Sequence, residues 1–183
     1  MNATRIGHLL QIAVVVVLAA AAGGSAGCAG EAPPPVTKAS AALASRSGST
    51  VTGMANFEVS GAKVNLTLTV SGGIAGNHGV HLHAVGDCSA ADAASAMGHW
   101  NPDMMNHGLP TAAPHHLGDC GNFTIAADGT GTLTFSGDWS IGTGNANDIV
   151  GKAIIVHANP DDGVTQTPPG NAGARVACGV VAL

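Results

Sequence analysis

The chain has 183 residues, of which six are Lys or Arg and eleven are Asp or Glu, so its formal net charge is −5 at pH 7. This length fits one ordinary domain plus an N-terminal export segment, and the absence of a basic stripe argues against nucleic acid as a partner. Only 3% of the residues are aromatic and Tyr is absent, so Val, Ala, Leu and Ile must build the core.

The N-terminus is typical of an exported protein. Arg5 precedes an apolar run from Ile12 to Ala22, which is too short for a comfortable membrane span and matches a secretory signal. The following small residues end at Cys28, in a Ser-Ala-Gly-Cys context that resembles a bacterial lipobox. We therefore expect residues 1–27 to be a lipoprotein signal, Cys28 to be lipidated, and the protein to be anchored to a membrane in the periplasm or at the cell surface. The alternative is an ordinary signal peptide cleaved nearby, with Cys28 incidental.

The next segment, residues 28–49, is rich in Pro, Ala, Ser and Thr. This composition favours a flexible tether, although a first strand could begin inside Ala41–Ser45. Residues 50–183 are then the folded domain.

The domain contains a series of short strand-like segments separated by glycine-containing turns. Two hairpins are predicted, one from alternation of apolar and polar residues on both sides of Ser60-Gly61, the other around Ala127-Asp128-Gly129. The predicted strands are Thr50–Val59, Lys63–Val70, Val80–Val85, Asn122–Ala126, Thr130–Ser136, Ala153–His157 and Arg175–Ala182. With the uncertain first strand, this pattern predicts an all-β domain: an eight-stranded Greek-key barrel or sandwich.

Two long segments interrupt the strands, Gly86–Gly121 and Ala158–Ala174. Loops of this length without regular structure are uncommon unless they have a function. Most histidines of the domain lie in or beside them, and a loop rich in ligands can be ordered by the metal that it binds.

The histidines suggest a metal centre. His81 and His83 are two residues apart on a predicted strand, so both side chains point to the same face and can converge on one ion, although such a pair alone is weak evidence. Imidazole and carboxylate ligands suit copper and zinc, whereas the lack of clustered thiolates argues against a cysteine-type zinc site or an iron–sulfur centre. The other candidates are His99, His107, His115, His116, Asp119 and His157.

Five separated motifs carry a family resemblance. The segments HGVHLHAVGDC, GHWNP, HHLGDCGN, AIIVHANPDD and GNAGARVACGVVAL resemble the successive signatures of the copper/zinc superoxide dismutase family, in the same order. The motifs run from His78 to Leu183, and the resemblance covers essentially the whole domain from about Thr50.

The resemblance implies two metal sites joined by His99. Copper would be bound by His81, His83, His99 and His157, and zinc by His99, His107, His116 and Asp119. His115 competes with His116 for zinc, but the three-residue step to Asp119 favours His116. Asp161 is expected to hydrogen-bond one copper-binding and one zinc-binding histidine, the alternative being an aspartate that only forms a turn. His78 is expected to hydrogen-bond the backbone.

The resemblance also assigns roles to Arg175 and to the cysteines. Cys88 and Cys178 would form a disulfide, which requires an oxidising compartment. Cys120 departs from the family pattern, which usually has an apolar residue there; a buried, inert thiol is favoured over an extra ligand or an intermolecular disulfide. Arg175 would face the open copper position and attract a small anion, the alternative being a surface salt bridge.

The implied activity is the dismutation of superoxide to dioxygen and hydrogen peroxide, with His99 and Arg175 as catalytic residues. A non-catalytic copper carrier or chaperone on the same barrel is the alternative, and a structural zinc-only protein is less favoured, since the copper-binding histidines would be superfluous there. A homodimer is compatible with the sequence.

Overall fold

The structure is a computed structural model that describes Met1 and residues 34–183. The predicted signal segment and the predicted lipidation site, Cys28, lie outside the described residues apart from Met1. Within the described part of the chain, no helix is both long and apolar enough to cross a membrane.

Eight strands form a closed barrel, which confirms the predicted all-β Greek-key fold. The strands follow the order β1-β2-β3-β6-β5-β4-β7-β8 around the barrel, and every pair of neighbours is antiparallel. Their bounds are β1 Lys38–Ser45, β2 Thr52–Ser60, β3 Lys63–Ser71, β4 Gly76–His83, β5 Asp119–Ile125, β6 Gly131–Gly137, β7 Ala153–His157 and β8 Arg175–Val180. One short 3₁₀ helix, Ala94–Ala96, lies between β4 and β5.

The barrel interior is built by the period-two pattern of the strands. In β3, every second residue is buried, from Val64 through Leu66 and Leu68 to Val70, while the residues between them face solvent. The aliphatic residues of the other strands join these four in one core, which also contains Phe57 and Trp139. Because successive side chains of a strand point to opposite faces, this alternation fixes which side of each strand lines the barrel.

The predicted start of the domain at residue 50 is wrong, because β1 already begins at Lys38. Residues 38–45 therefore belong to the barrel and not to the tether. They pair with β2, placing Ala39 opposite Phe57, and with β8, placing Ala44 opposite Cys178. The strand was hard to recognise because two of its three core-facing residues are alanines, which alternate with polar or small residues as in a linker.

Two strands, β4 and β7, are buried on both faces. Val80 and Leu82 of β4 point into the barrel core, so His81 and His83 point to the outside of the barrel, yet they too are buried. The outer face is covered by the two long connections, residues 84–118 between β4 and β5 and residues 158–174 between β7 and β8. The candidate site therefore lies between the barrel wall and these loops.

Candidate metal centre

The first group of ligand atoms is the histidine cluster, formed by His81, His83, His99 and His157. One ring nitrogen of each residue lies within 4.8 Å of the corresponding nitrogen of every other. β4 supplies His81 and His83, and β7 supplies His157. His99 arrives from the first long loop through an isolated antiparallel bridge to His83. The structure thus brings together all four residues predicted to bind copper.

Hydrogen bonds orient three rings of the histidine cluster. The Nε2–H of His81 donates to Asp161 Oδ2 over 2.6 Å, the Nδ1–H of His83 to the carbonyl of Met97 over 2.8 Å, and the Nδ1–H of His157 to the carbonyl of Gly173 over 3.3 Å. In each ring the other nitrogen is buried and has no hydrogen-bond partner. Buried polar atoms without a partner are rare in proteins, and three of them aimed at one point fit a metal ion.

The charge state of these rings also suits a metal. Burial, reinforced by the neighbouring histidines, holds the pKa of His81 and of His83 well below the usual value of 6.5. Burial likewise lowers the pKa of His157 to about 3. The three imidazoles are therefore neutral at pH 7, which is the form that binds metals.

The second group is the aspartate cluster, formed by His99, His107, His116 and Asp119, whose ligand atoms also lie within 4.8 Å of one another. Asp119 Oδ1 accepts from His99 Nδ1 over 2.9 Å, and Asp119 Oδ2 lies 3.1 Å from His107 Nδ1. The Nδ1 atoms of His107 and His116 are buried without a hydrogen-bond partner. Three imidazoles and one carboxylate are a donor set that suits tetrahedral zinc.

The Asp119 carboxylate is ionised in this environment. Burial alone would raise its pKa, but hydrogen bonds from His99 and from the backbone N–H of His116 outweigh burial, so the pKa lies below its usual value. A negative ligand that is already deprotonated releases no proton when a cation binds.

Two residues connect the clusters. His99 belongs to both, and the buried carboxylate of Asp161 accepts from His81 in one cluster and, over 2.9 Å, from His107 Nε2 in the other. Asp161 Oδ1 also accepts from the backbone N–H of Gly163. Both roles considered for Asp161, connecting two histidines and forming a turn, are therefore seen together.

Arg175 lies at the start of β8, paired with His157. Its Nη1 donates to the carbonyl of Ala93 over 2.6 Å and its Nη2 to the carbonyl of Met97 over 2.7 Å. Within residues 34–183 the guanidinium has no carboxylate within ion-pair distance, so the alternative of a salt bridge is not supported. Met97 thus accepts from both Arg175 and His83, which places the arginine beside the histidine cluster.

The family model described as copper/zinc superoxide dismutase (SODC) matches residues 51–181. The chain belongs to the copper/zinc superoxide dismutase family. Copper and zinc are the metals of this family, and the two clusters could hold them.

The chain is also similar to individual proteins of known sequence and structure. "Superoxide dismutase [Cu-Zn] 2" of Brassica juncea is 43% identical over 126 residues, which cover 66% of this chain and 82% of the relative. Among solved structures, the one titled "Crystal Structure Analysis of the clock protein EA4" matches with a TM-score of 0.70 and 32% identity, covering 80% of this chain and 94% of that one.

The predicted disulfide is present in the structure. Cys88 in the first long loop is bonded to Cys178 in β8, with a Cα–Cα distance of 5.8 Å. Arg46, which follows β1, donates through Nε and Nη2 to the carbonyl of Cys88 over 2.8 and 2.6 Å. The covalent bond and the arginine together hold the loop that carries Met97 against the barrel. The role of Arg46 was not predicted, because its partner lies 42 residues away along the chain.

Cys120, His115 and His78 lie outside both clusters. Cys120 is buried with its thiol 3.5 Å from the carbonyl of Gly118, and burial raises the pKa of this thiol. His115 bonds the carbonyl of His116 and belongs to neither cluster. His78 is buried and bonds the carbonyls of His157 and Ile74. These positions agree with an unreactive thiol and with a backbone role for His78.

Proposed function

We propose that this protein dismutates superoxide to dioxygen and hydrogen peroxide, with copper in the histidine cluster, zinc in the aspartate cluster, and His99 shared between the two metals. The observation that carries the proposal is that His99 is the one residue common to both ligand groups. Family membership supports the activity, and the unpaired buried nitrogens support the metal sites.

The residues of the histidine cluster hold the redox metal. Bound copper supplies the one-electron oxidation and reduction of the substrate. His81, His83 and His157 contribute neutral imidazoles whose orientations are fixed by Asp161 and by two backbone carbonyls. Fixed donors leave the geometry of the site unchanged during turnover and so reduce the cost of reorganisation.

His99 is the proposed proton donor. Its Nδ1 faces Asp119, so we assign the proton transfer to its Nε2, which would take up a proton from solvent when it is not bound to copper and pass that proton to the reduced substrate. Reduced superoxide needs two protons to become hydrogen peroxide; His99 would give one and solvent the other. A positioned general acid of this kind contributes about 10²–10⁴-fold to a rate.

Arg175 is the proposed anion-binding residue. A guanidinium has five N–H groups, and two backbone carbonyls fix its plane while using only part of them. The remaining N–H groups and the positive charge can attract and orient a small anion, although the chain as a whole carries a net charge of −5.

The test combines metal analysis with superoxide consumption by the purified holoenzyme. We expect His99→Ala to lower the rate by about 100-fold or more while copper stays bound to the other three histidines. His115→Ala is the matched control, because this neighbouring histidine lies outside both clusters; it should keep the rate. A protein that binds copper tightly but consumes no superoxide would instead be a carrier, and this result would overturn the proposal.

We also propose that the enzyme is exported and anchored by lipid at Cys28. The N-terminal pattern supports export, and a disulfide is typical of proteins in oxidising compartments. Fractionation of cells that express Cys28→Ser should find the enzyme released from the membrane. Equal membrane retention of the variant and the original protein would contradict the anchor.

A further inference from the structure

His107 has both of its backbone polar groups bonded to a single side chain. Its N–H donates to Gln166 Oε1 over 2.9 Å, and its carbonyl accepts from Gln166 Nε2 over 3.1 Å. The two residues are 59 positions apart and lie on different long loops. This reciprocal pair, which we call the amide clamp, imitates the pairing of two strands but comes from one carboxamide group.

The loop that supplies Gln166 also fixes the ring of His107. Asp161 Oδ1 accepts from Nε2 of this ring, so one loop holds His107 at its backbone and at its imidazole. What remains free is Nδ1, which is buried, has no hydrogen-bond partner and lies 3.1 Å from Asp119 Oδ2. With the backbone and the distal nitrogen fixed, Nδ1 stays directed into the aspartate cluster.

The loop itself is organised by contacts independent of either cluster. Asp162 accepts from the backbone N–H of Val164 and of Thr165 and from the Thr165 hydroxyl. Backbone bonds from Asp162 to Gly170 and from Gly170 to Thr165 close the loop. Gln166 is thus presented by a preformed turn, even though much of its side chain is exposed.

We infer that Gln166 is a positioning residue for zinc: its amide clamp holds His107 in the metal-binding orientation before the metal arrives and resists its departure. The inference rests on the proposed zinc site and deepens it. Groups that orient metal ligands commonly change metal affinity by about 10–100-fold when they are removed. Because the clamp is partly open to solvent, we expect the lower end, about tenfold.

The test is the rate of zinc release from the fully loaded protein to a chromophoric chelator. Gln166→Met keeps a side chain of similar length and removes both hydrogen bonds to His107, together with the bond from Nε2 to the Val164 carbonyl within its own loop. It should release zinc about tenfold faster. Cobalt(II) placed in the same site gives a second readout, because its visible spectrum reports the ligand geometry; the spectrum should change in Gln166→Met. Copper binding to the histidine cluster should change far less.

Two control variants distinguish a specific positioning role of Gln166 from a general loss of order in the two loops. Asn101→Leu removes the same kind of reciprocal pair, formed with Met105 in the same loop as His107 but not with a ligand. Thr165→Val removes the hydroxyl bond to Asp162 beside Gln166. Asn101→Leu should release zinc at the original rate. Thr165→Val leaves the backbone bonds of the turn in place and should change the release rate far less than Gln166→Met does. Equally fast release from Thr165→Val and Gln166→Met would overturn the inference.

The same experiment distinguishes this inference from the proposed function. If the unaltered protein binds no zinc, the proposed zinc site itself fails. If the unaltered protein binds zinc and Gln166→Met matches it in release rate and cobalt spectrum, the clamp has no positioning role and only the inference fails.

Discussion

Arg175 and Met97 are joined by a hydrogen bond of 2.7 Å from the guanidinium to the Met97 carbonyl, which also accepts from His83 over 2.8 Å. Met97 has φ 62° and ψ −152°. Almost only glycine adopts this conformation without strain, because the side chain crowds the backbone there. The residue proposed to bind the anion and a residue proposed to bind copper therefore depend on one strained carbonyl.

The first prediction concerns this strain. Met97 is exposed, so its replacement removes little packing, and Met97→Gly should be more stable than Met97→Ala by about 1 kcal/mol because glycine relieves the strain. Denaturant unfolding of the two variants measures the difference, and both should keep the dismutase rate, since the carbonyl is retained. Ordinarily alanine is favoured over glycine through the unfolded state. An alanine variant as stable as the glycine variant would show that the backbone is unstrained.

The second prediction concerns the planar guanidinium of Arg175, whose N–H groups have fixed directions. Arg175→Lys keeps the positive charge, but a single ammonium cannot bond the carbonyls of Ala93 and Met97 and still present N–H groups in a fixed plane. We expect kcat/KM for superoxide to fall about tenfold, the equivalent of one charged hydrogen bond of about 1.5 kcal/mol. Arg175→Gln also removes the charge, so its kcat/KM for superoxide should fall further. A lysine variant with the original rate would mean that charge alone matters.

Much of the fold could be predicted from the sequence, because β3 and its neighbours alternate clearly between apolar and polar residues. The two clusters could be predicted as well, because their residues lie in recognisable motifs. The start of β1 could not be placed, because alanines at positions 39 and 41 resemble a linker. The clamp from Gln166 was also missed: a glutamine in a loop has no local pattern, and its partner lies 59 residues away.

The third prediction concerns acid stability of the metal-free protein. The pKa values of His81, His83 and His157 lie below 6.5 in the folded state, that of His157 near 3. Unfolding restores the ordinary pKa, so below about pH 6.5 the unfolded chain binds protons that the folded chain does not. Their stabilising contribution is thus present above pH 6.5 and lost as the pH falls. Each such histidine adds a slope of up to about 1.4 kcal/mol per pH unit.

Denaturant unfolding of the chelator-treated protein at pH 7.5, 6 and 5 measures this slope, since most carboxylates titrate lower. His157→Gln removes one of the buried imidazoles, so the free energy of unfolding should depend less steeply on pH in this variant. A free energy of unfolding that stays constant from pH 7.5 to 5 would mean that the histidines become protonated in the folded state.

The last prediction concerns the salt dependence of turnover. The loop Ala158–Ala174 contains no Lys, Arg or Glu; its only charged residues are Asp161, which is buried, and Asp162. Lys152 lies 5.2 Å from the centre of the Trp100 ring and is partly buried. With Arg175 as the proposed anion-binding residue, we therefore expect it to supply most of the steering of superoxide. Because one charge acting on one anion is screened only modestly, the rate should fall by about twofold or less between low and high ionic strength.

A matched pair of variants tests this explanation. Val164 is 74% exposed on the same loop, so Val164→Lys adds a charge near the site and should raise the rate at low salt and steepen its fall with added salt. Met54→Lys adds the same charge on β2, which supplies no ligand to either cluster. This variant should change neither the rate at low salt nor its fall with added salt. A steep fall in the unaltered protein would mean that charges other than Arg175 guide the substrate, and the assignment of steering to this single guanidinium would then be wrong.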